Sequence, residues 1–202
     1  SDGSNITRVL DAWPQDVYLS RALGAIGMPG LTALYGLEEV CAIKPGESLL
    51  LNAATGAVGS LAGQIAKLKG CKVVGSTGSD EKVTVSSLEE ALKNASPEGY
   101  DCYFEMKHRS RLLSICSSDY VYLSFLGPYP HLQMIFKQLK MEGFLVGRWE
   151  HKNEESLKRM LTWVQEGKLK CKEHVTVGFE NMPAAFMGML QGENIRKAIV
   201  KV

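Results

Sequence analysis

The sequence predicts an α/β protein built on a doubly wound, mostly parallel sheet, and three observations carry that expectation. First, Ser48 to Gly63 runs from a short apolar stretch (Leu49, Leu50, Leu51) through a glycine-bearing turn into an apolar pattern of helical spacing. Second, Cys71–Ser76 follows that helix directly as another short strand, completing a β-α-β unit. Third, strand-like and helix-like segments keep alternating with short connections to the end of the chain.

Taken in order, residues 19–40 place Leu19, Leu23, Ile26, Leu31, Leu34, Leu37 and Val40 at helical intervals, and Met28-Pro29-Gly30 predicts a break between two helices. Lys44-Pro45-Gly46-Glu47 is a turn into the first strand, expected over 48–53. Val58, Leu61, Ala62, Ile65, Ala66 and Leu68 form the inner face of the helix that follows, ending at Lys69. Residues 85–95 predict a helix with a capping-box start at Ser86 or Ser87, and Ser96-Pro97-Glu98-Gly99 ends it. Tyr100–Glu105 alternates as a strand, and Lys107–Arg111 is a basic, solvated turn. Leu112–Leu126 has strand character, His131–Met141 is helical, and Gly143–Trp149 predicts a strand. Glu154–Glu166 is an amphipathic helix with Leu157, Met160, Leu161 and Val164 on one face. A strand at 171–177, a helix at 182–190 and a strand at 196–202 complete the chain.

Composition narrows the function classes. At 202 residues with 45% hydrophobic content, the chain can fill one good-sized core. Basic and acidic residues nearly balance, 23 against 22, so no basic field for nucleic acid is expected. No apolar stretch reaches the length of a membrane span, and the first residues do not read as a signal peptide. Cys41, Cys71, Cys102, Cys116 and Cys171 are scattered, with no C-x-x-C pair and no Cys/His cluster. Reduced thiols in a cytoplasmic protein are the expectation, without structural zinc or a disulfide framework. Ser1 opens a polar stretch without methionine and reads as an internal starting point.

The turn after Leu51 carries the chemistry. Gly56 and Gly59 stand where backbone would pass close to a pyrophosphate, although Ala54 occupies the position of the first glycine in the dinucleotide fingerprint. The amides at the start of the following helix, with the helix's partial positive charge, suit phosphate oxygens. At the end of the second strand, Gly75-Ser76-Thr77-Gly78-Ser79 offers hydroxyls where an NAD enzyme usually carries a carboxylate, and Lys82 follows Asp80 and Glu81. A hydroxyl-lined tip and a lysine favour a 2′-phosphate, hence NADP over NAD. Lys82 is equally readable as a solvated lysine of a first helical turn.

These segments resemble the zinc-independent medium-chain reductases. The resemblance runs through Ile26–Ala33, the loop Ala53–Ser60, the helix and strand of Gly63–Gly75, the segment Ser79–Val83 and the tail Gly178–Leu190, and covers about residues 1–105 and 132–202. The tail is similar to one branch of that family, the enone reductases. The resemblance implies a Rossmann-like domain, with residues 1–20 as an inter-domain segment and 21–202 binding NADP. It implies NADPH-dependent reduction of the carbon–carbon double bond of α,β-unsaturated ketones and aldehydes, small lipid enones such as 15-oxo-prostaglandins and alkenals, together with oxidation of a leukotriene 12-hydroxyl. It places Gly56, Ala57, Val58 and Gly59 on the pyrophosphate, Ser79 and Lys82 at the 2′-phosphate, Phe144, Leu145 and Val146 along the nicotinamide, and Asn194 near the nicotinamide or phosphates. Phe144–Val146 also read as ordinary core, and Asn194 as a turn asparagine. It implies a homodimer joined through edge strands, with no nucleic-acid or membrane partner.

The departures from the family are as specific. The resemblance leads to the expectation that the family's first, barrel-like domain is absent and that between Val83 and Ser87 the chain omits a helix and a strand. After Phe104 the family's Asp-Asn-Val-Gly-Gly is replaced by Glu105-Met106-Lys107-His108-Arg109, and residues 106–131 match nothing in it. No catalytic residue is assigned, because Tyr120, Tyr122 and Tyr129 sit in no matching motif. Three readings therefore stand together: an enone reductase, an inactive NADP-binding fragment that acts by dimerising, and a zinc-independent quinone reductase. The departures lead to the expectation that this chain alone has no measurable enone reductase activity.

Overall fold

A computed structural model of the chain describes residues 13–76, 85–105, 131–192 and 197–202. Three strands form a parallel sheet: β1 (Ser48–Leu51) lies in the middle, β2 (Lys72–Gly75) on one side and β3 (Cys102–Phe104) on the other. Leu49 stands opposite Val73 in β2 and Cys102 in β3, so the strand ends are level. The expected parallel β-α-β unit is present, with β1 and β2 as direct neighbours joined by the helix α2 (Gly59–Leu68).

Alternation along β1 decides which helix covers which face. Leu49 and Leu51 point to one side and pack in the main core with Leu61, Ala62, Ile65 and Ala66 of α2. Leu50 points to the other side and packs with Leu92 of α3 (Val85–Ala95), flanked by Val74, Tyr100 and Tyr103. Covering both faces of the central strand makes the sheet doubly wound. The chain leaves β1 toward β2 on one side, then returns across it to β3 on the other. The strand order therefore reverses at the carboxyl end of β1, where open α/β sheets bind ligands.

The first helix, α1 (Met28–Tyr35), departs from the expected break at Met28-Pro29-Gly30. Pro29 lies in the first turn of the helix, where its missing N–H costs nothing. The break falls earlier, after the 3₁₀ turn Leu19–Leu23. There the chain folds so tightly that a Cβ on Gly27 would sit 2.0 Å from the Ala22 carbonyl oxygen, and one on Gly30 2.0 Å from that of Ala25. α3 is already helical at Val85, so Ser86 and Ser87 lie inside its first turn rather than at its cap. The helix α4 (His131–Phe136) is shorter than expected, because Gln138 adopts a left-handed φ of 53° and Leu139 N–H turns back to Met134 O at 2.8 Å.

The largest correction concerns 143–149, which is not a strand. Residues 143–145 are irregular and Val146–Lys152 forms a 3₁₀ turn. Phe144 and Trp149 are five positions apart and would face opposite ways in an extended strand. The turn lets both reach one core: Trp149 is buried, 5.4 Å from the Tyr35 ring and 5.6 Å from Phe144. The amphipathic helix α5 (Asn153–Gln165) forms as expected, with Met160 and Leu161 buried and Leu157 and Val164 packed beside them. Tyr35 ties this helix to α1 by donating its hydroxyl to Asn153 Oδ1 at 2.9 Å.

β4 (Glu173–Val177) and β5 (Lys197–Lys201) pair in parallel as a separate two-stranded sheet, joined through α6 (Met182–Gln191). The expected strand character of 112–126 lies outside the described residues. Among the described residues, no helix is long and apolar enough to cross a membrane, and no His, Cys, Asp and Glu cluster could hold a metal ion.

Met160 is fully buried, and a Cβ on Gly30 would fall 2.6 Å from its Cε, so the side chain fills the α1–α5 contact without slack. Met160→Ala should cost about 2–5 kcal/mol of stability. Urea unfolding followed by circular dichroism checks this: a lower midpoint with an unchanged slope is the expected result.

Candidate cofactor-binding site

The loop at the switch point is built by the end of β1 and shaped by its own backbone. Ser76 N–H donates to Leu51 O at 2.8 Å, and Ala54 N–H to Ser76 O at 3.0 Å, holding the loop against the end of β2. Ala53 adopts a left-handed φ of 48°, a conformation that costs a non-glycine residue free energy. The turn closes as Gly56 N–H donates to Ala53 O at 2.8 Å.

Gly59, the first residue of α2, is the tightest point. A Cβ there would lie 2.2 Å from Ala53 O and 2.9 Å from its carbonyl carbon. At Gly56 a Cβ would come to 3.2 Å from the same oxygen, a much milder contact. The two glycines are therefore not equivalent: Gly59 must be bare to bring the helix start onto the strand end, whereas Gly56 keeps the turn open. From Ser60 onward the amides donate backwards, Ser60 to Gly56 O and Leu61 and Ala62 to Val58 O. Ala57, Val58 and Gly59 precede them at the start of the helix, the end of a helix whose partial positive charge favours an anion.

Two residues not singled out by the sequence frame this loop. Asn52 is buried and donates through Nδ2 to Glu105 Oε1 at 3.0 Å, while its N–H reaches Phe104 O at 3.3 Å. The pair joins the carboxyl ends of β1 and β3. Asn52 carried a signal, as a lone polar residue directly after an apolar run; Glu105, 53 positions away, carried none. Gly75 is the second, since a Cβ there would lie 2.7 Å from Ala54 Cβ.

The remaining candidates distribute unevenly. Phe144 reaches the same end of the sheet, stacked at 6.4 Å on Phe104 and close to Gly36. Val146 packs beside the core, but Leu145 is 84% exposed. Ser79, Lys82 and Asn194 lie outside the described residues. A small cavity beside the loop is lined by Ala57, Ser60 and Leu61 on one wall and by Lys170, Lys172 and Lys197 on the other. Gln64 sets that second wall: its side chain donates to Lys170 O at 3.2 Å and accepts from Lys170 N–H at 2.7 Å. Arg21 Nη1 and Ser20 Oγ both reach the Glu173 carboxylate, at 2.9 and 2.8 Å, anchoring the start of β4 nearby.

A parallel doubly wound sheet with a glycine-pinned, backbone-lined loop at its switch point defines a dinucleotide-binding domain of the Rossmann type. No family model matches the chain. It is, however, 51% identical over 233 aligned residues to prostaglandin reductase 1 of Bos taurus, covering 100% of this chain and 70% of that protein. The aligned span exceeds the 202 residues of the chain, so the bovine protein carries residues within it that this chain lacks. The 2-alkenal reductase (NADP(+)-dependent) of Nicotiana tabacum is 37% identical over 93% of the chain and 64% of its own length. Among solved structures, CurA of Vibrio vulnificus in complex with NADPH superposes with a TM-score of 0.80 at 31% identity, over 96% of this chain and 68% of its own. The chain belongs to the prostaglandin reductase 1 family of medium-chain reductases.

Gly59→Ala should break the cradle, because the new methyl group has only the Ala53 backbone to displace. NADPH affinity should fall at least about tenfold, roughly 1.4 kcal/mol or more. Titration by nicotinamide fluorescence reads the loss, and Gly56→Ala should lose less.

Proposed function

We propose that the chain is an NADPH-dependent reductase of the carbon–carbon double bond of α,β-unsaturated ketones and aldehydes. The observation that carries this reading is the contact between the Ala53 carbonyl and the bare Gly59, a cradle that a side chain would fill, set at the switch point of the sheet. Relatives that reduce prostaglandins and alkenals by name support the substrate class. NADPH, when bound, supplies the hydride for the β-carbon of the enone.

The residues of the chain bind and orient. The backbone of Gly56, Ala57, Val58 and Gly59 takes the pyrophosphate, and the helix start offsets its charge. Ser79 and Lys82 take the 2′-phosphate. Asn52, held by Glu105, fixes the strand ends on which the nicotinamide would rest, and Phe144 closes the apolar side. Leu145 and Val146 would contribute backbone contacts along the nicotinamide, and Asn194 would meet the nicotinamide or phosphates. Excluding water from this edge keeps the transferred hydride from side reactions. Residues 21–202 form the NADP-binding unit in this reading, with residues 1–20 leading into it.

Lipid enones, 15-oxo-prostaglandins among them, are the finer substrates, with oxidation of a leukotriene 12-hydroxyl, whose hydride would pass to NADP+, as a separate second activity. A homodimer and a cytoplasmic location belong to the same reading and rest on the family resemblance. The resemblance puts the pairing strands of such a dimer within residues 112–126 and 143–149; the first lie outside the described residues, and in the second 143–145 is irregular and Val146–Lys152 is a 3₁₀ turn. A second reading, binding without turnover, is favoured by the replacement of the family's Asn-Gly turn after Glu105. It would leave the phosphates held but the nicotinamide unpositioned, and positioning carries much of the rate.

Two measurements separate these readings. Lys82→Ala should weaken NADPH by about 1.5–3 kcal/mol, roughly tenfold to a hundredfold, and leave NADH unchanged; equal losses would give Lys82 a structural role. Loss of reduced-nicotinamide absorbance with a 15-oxo-prostaglandin or a simple alkenal then tests turnover. Oxidation of NADPH that depends on the enone establishes the reductase. Tight NADPH binding with no enone-dependent oxidation leaves the binding-only reading, and loss of both sinks the cofactor site.

A further inference from the structure

At Gly36, which is buried, α1 passes into a π-helical turn, Gly36–Val40. The backbone there does not call for glycine: a φ of −57° and a ψ of −40° suit any residue, and glycine is a poorer helix former than alanine. The surroundings do call for it. A Cβ on Gly36 would lie 2.7 Å from Phe104 Cζ and 2.9 Å from Phe144 Cζ, with Phe104 Cε2 nearer still. The space a side chain would take is the space in which two rings meet.

Those rings stand at the rim of the crevice. Phe104 is the last residue of β3, opposite Leu51 of β1, and its carbonyl accepts the Asn52 N–H at 3.3 Å. It is buried, and the sheet fixes its backbone. Phe144 is half-buried in an irregular segment, stacked on Phe104 at 6.4 Å and edge-on to Trp149 at 5.6 Å. With no strand or helix of its own, it is placed by these ring contacts. The turn that begins at Gly36 is clamped from behind: Glu38 pairs with Lys69 at 2.9 Å and with Arg159, and Glu39 pairs with Lys152 at 2.9 Å. A methyl group on Gly36 therefore moves the rings rather than the helix, and Phe144, the less anchored of the two, gives way.

We propose that Gly36 is a positioning residue for the nicotinamide half of NADPH, acting by leaving the space that seats Phe144 on Phe104. The inference rests on the cofactor reading given above and adds to it a residue of the α1 junction, outside the loop after β1. Bare, Gly36 lets Phe144 close the apolar side of the site. With a side chain, it pushes that ring off Phe104. The loop that takes the phosphates lies on α2 and the end of β1, with no part in this stack. The effect is therefore selective, falling on the nicotinamide end of the cofactor and sparing the adenosine end.

The test is calorimetric titration of the whole chain with two probes, NADPH and adenosine 2′,5′-bisphosphate, which carries the 2′-phosphate but no nicotinamide. Gly36→Ala should weaken NADPH about fivefold to tenfold, the scale of one aromatic contact. The bisphosphate should stay within about twofold of the unaltered chain, which also reports an intact fold. Coupling reads the route through Phe144: Phe144→Leu should weaken NADPH by itself, and Gly36→Ala added to it should cost no more than about twofold further. Equal losses for the two probes, or an undiminished loss of NADPH in the Phe144→Leu background, would make Gly36 a packing residue and overturn the proposal. An unaltered chain that binds NADPH no more tightly than the bisphosphate would also overturn it, while leaving the phosphate site standing. A chain that binds neither probe removes the cofactor reading and this inference together. Should Gly36→Ala fail to fold, Phe104→Leu, which takes away the ring under Phe144, must give the same selective loss; loss of both probes, or of neither, overturns the proposal.

Discussion

The structure depends on one constraint: the three leucines of β1 are buried on both faces of the sheet at once. Fully burying such a side chain is worth roughly 1.5–3 kcal/mol, and neither face of a four-residue strand can be left to water. One helix must therefore cover Leu49 and Leu51, and another must cover Leu50. The chain meets both demands by crossing to β2 through α2, then returning across β1 to β3 through α3. The reversal of strand order follows from that covering, and the cofactor loop lies where the reversal opens a crevice.

The loop itself is shaped by exclusion. Its geometry comes from Ala53, in a left-handed conformation, offering its carbonyl to the space where a Gly59 side chain would otherwise be. Placing backbone so close to backbone brings the start of α2 onto the strand end, and the outward amides of a helix start are what a pyrophosphate needs. The strain at Ala53 is balanced by the bonds on either side of it, Ala54 to Ser76 and Gly56 to Ala53. A backbone-lined loop results, with no charged side chain in it.

Around this centre, long-range polar contacts place the elements that local pattern leaves free. Gln64 clamps the segment before β4 to the side of α2, and Arg21 with Ser20 holds Glu173 at the start of β4. Asn52 and Glu105 join the ends of β1 and β3 across the crevice. Each contact joins residues far apart in the chain, and none has a periodicity that announces it. The aromatic group of Tyr35, Phe104, Phe144 and Trp149 does the same for the segment after α4, and it overrides the apolar run at 143–149 that reads as a strand.

The sequence by itself determined the β-α-β unit, the helices over 59–68 and 153–165, the parallel pairing of β1 with β2 and the loop at the strand end. Local hydrophobic period and glycine placement encode these, and both act over a few residues. The family membership was legible for a related reason, since matching residues continue through loops that no generic motif requires. Only the tertiary structure decided that Gly59 rather than Gly56 is the indispensable glycine, because the clash that makes it so is with the carbonyl of Ala53, six positions back across a turn. It alone decided the turn at 146–152, where two aromatic residues of opposite strand parity are drawn to one core. It alone brought Asn52 to Glu105, because the pairing of residues distant in the chain is fixed by strand register and helix covering, which arise only when the whole sheet assembles.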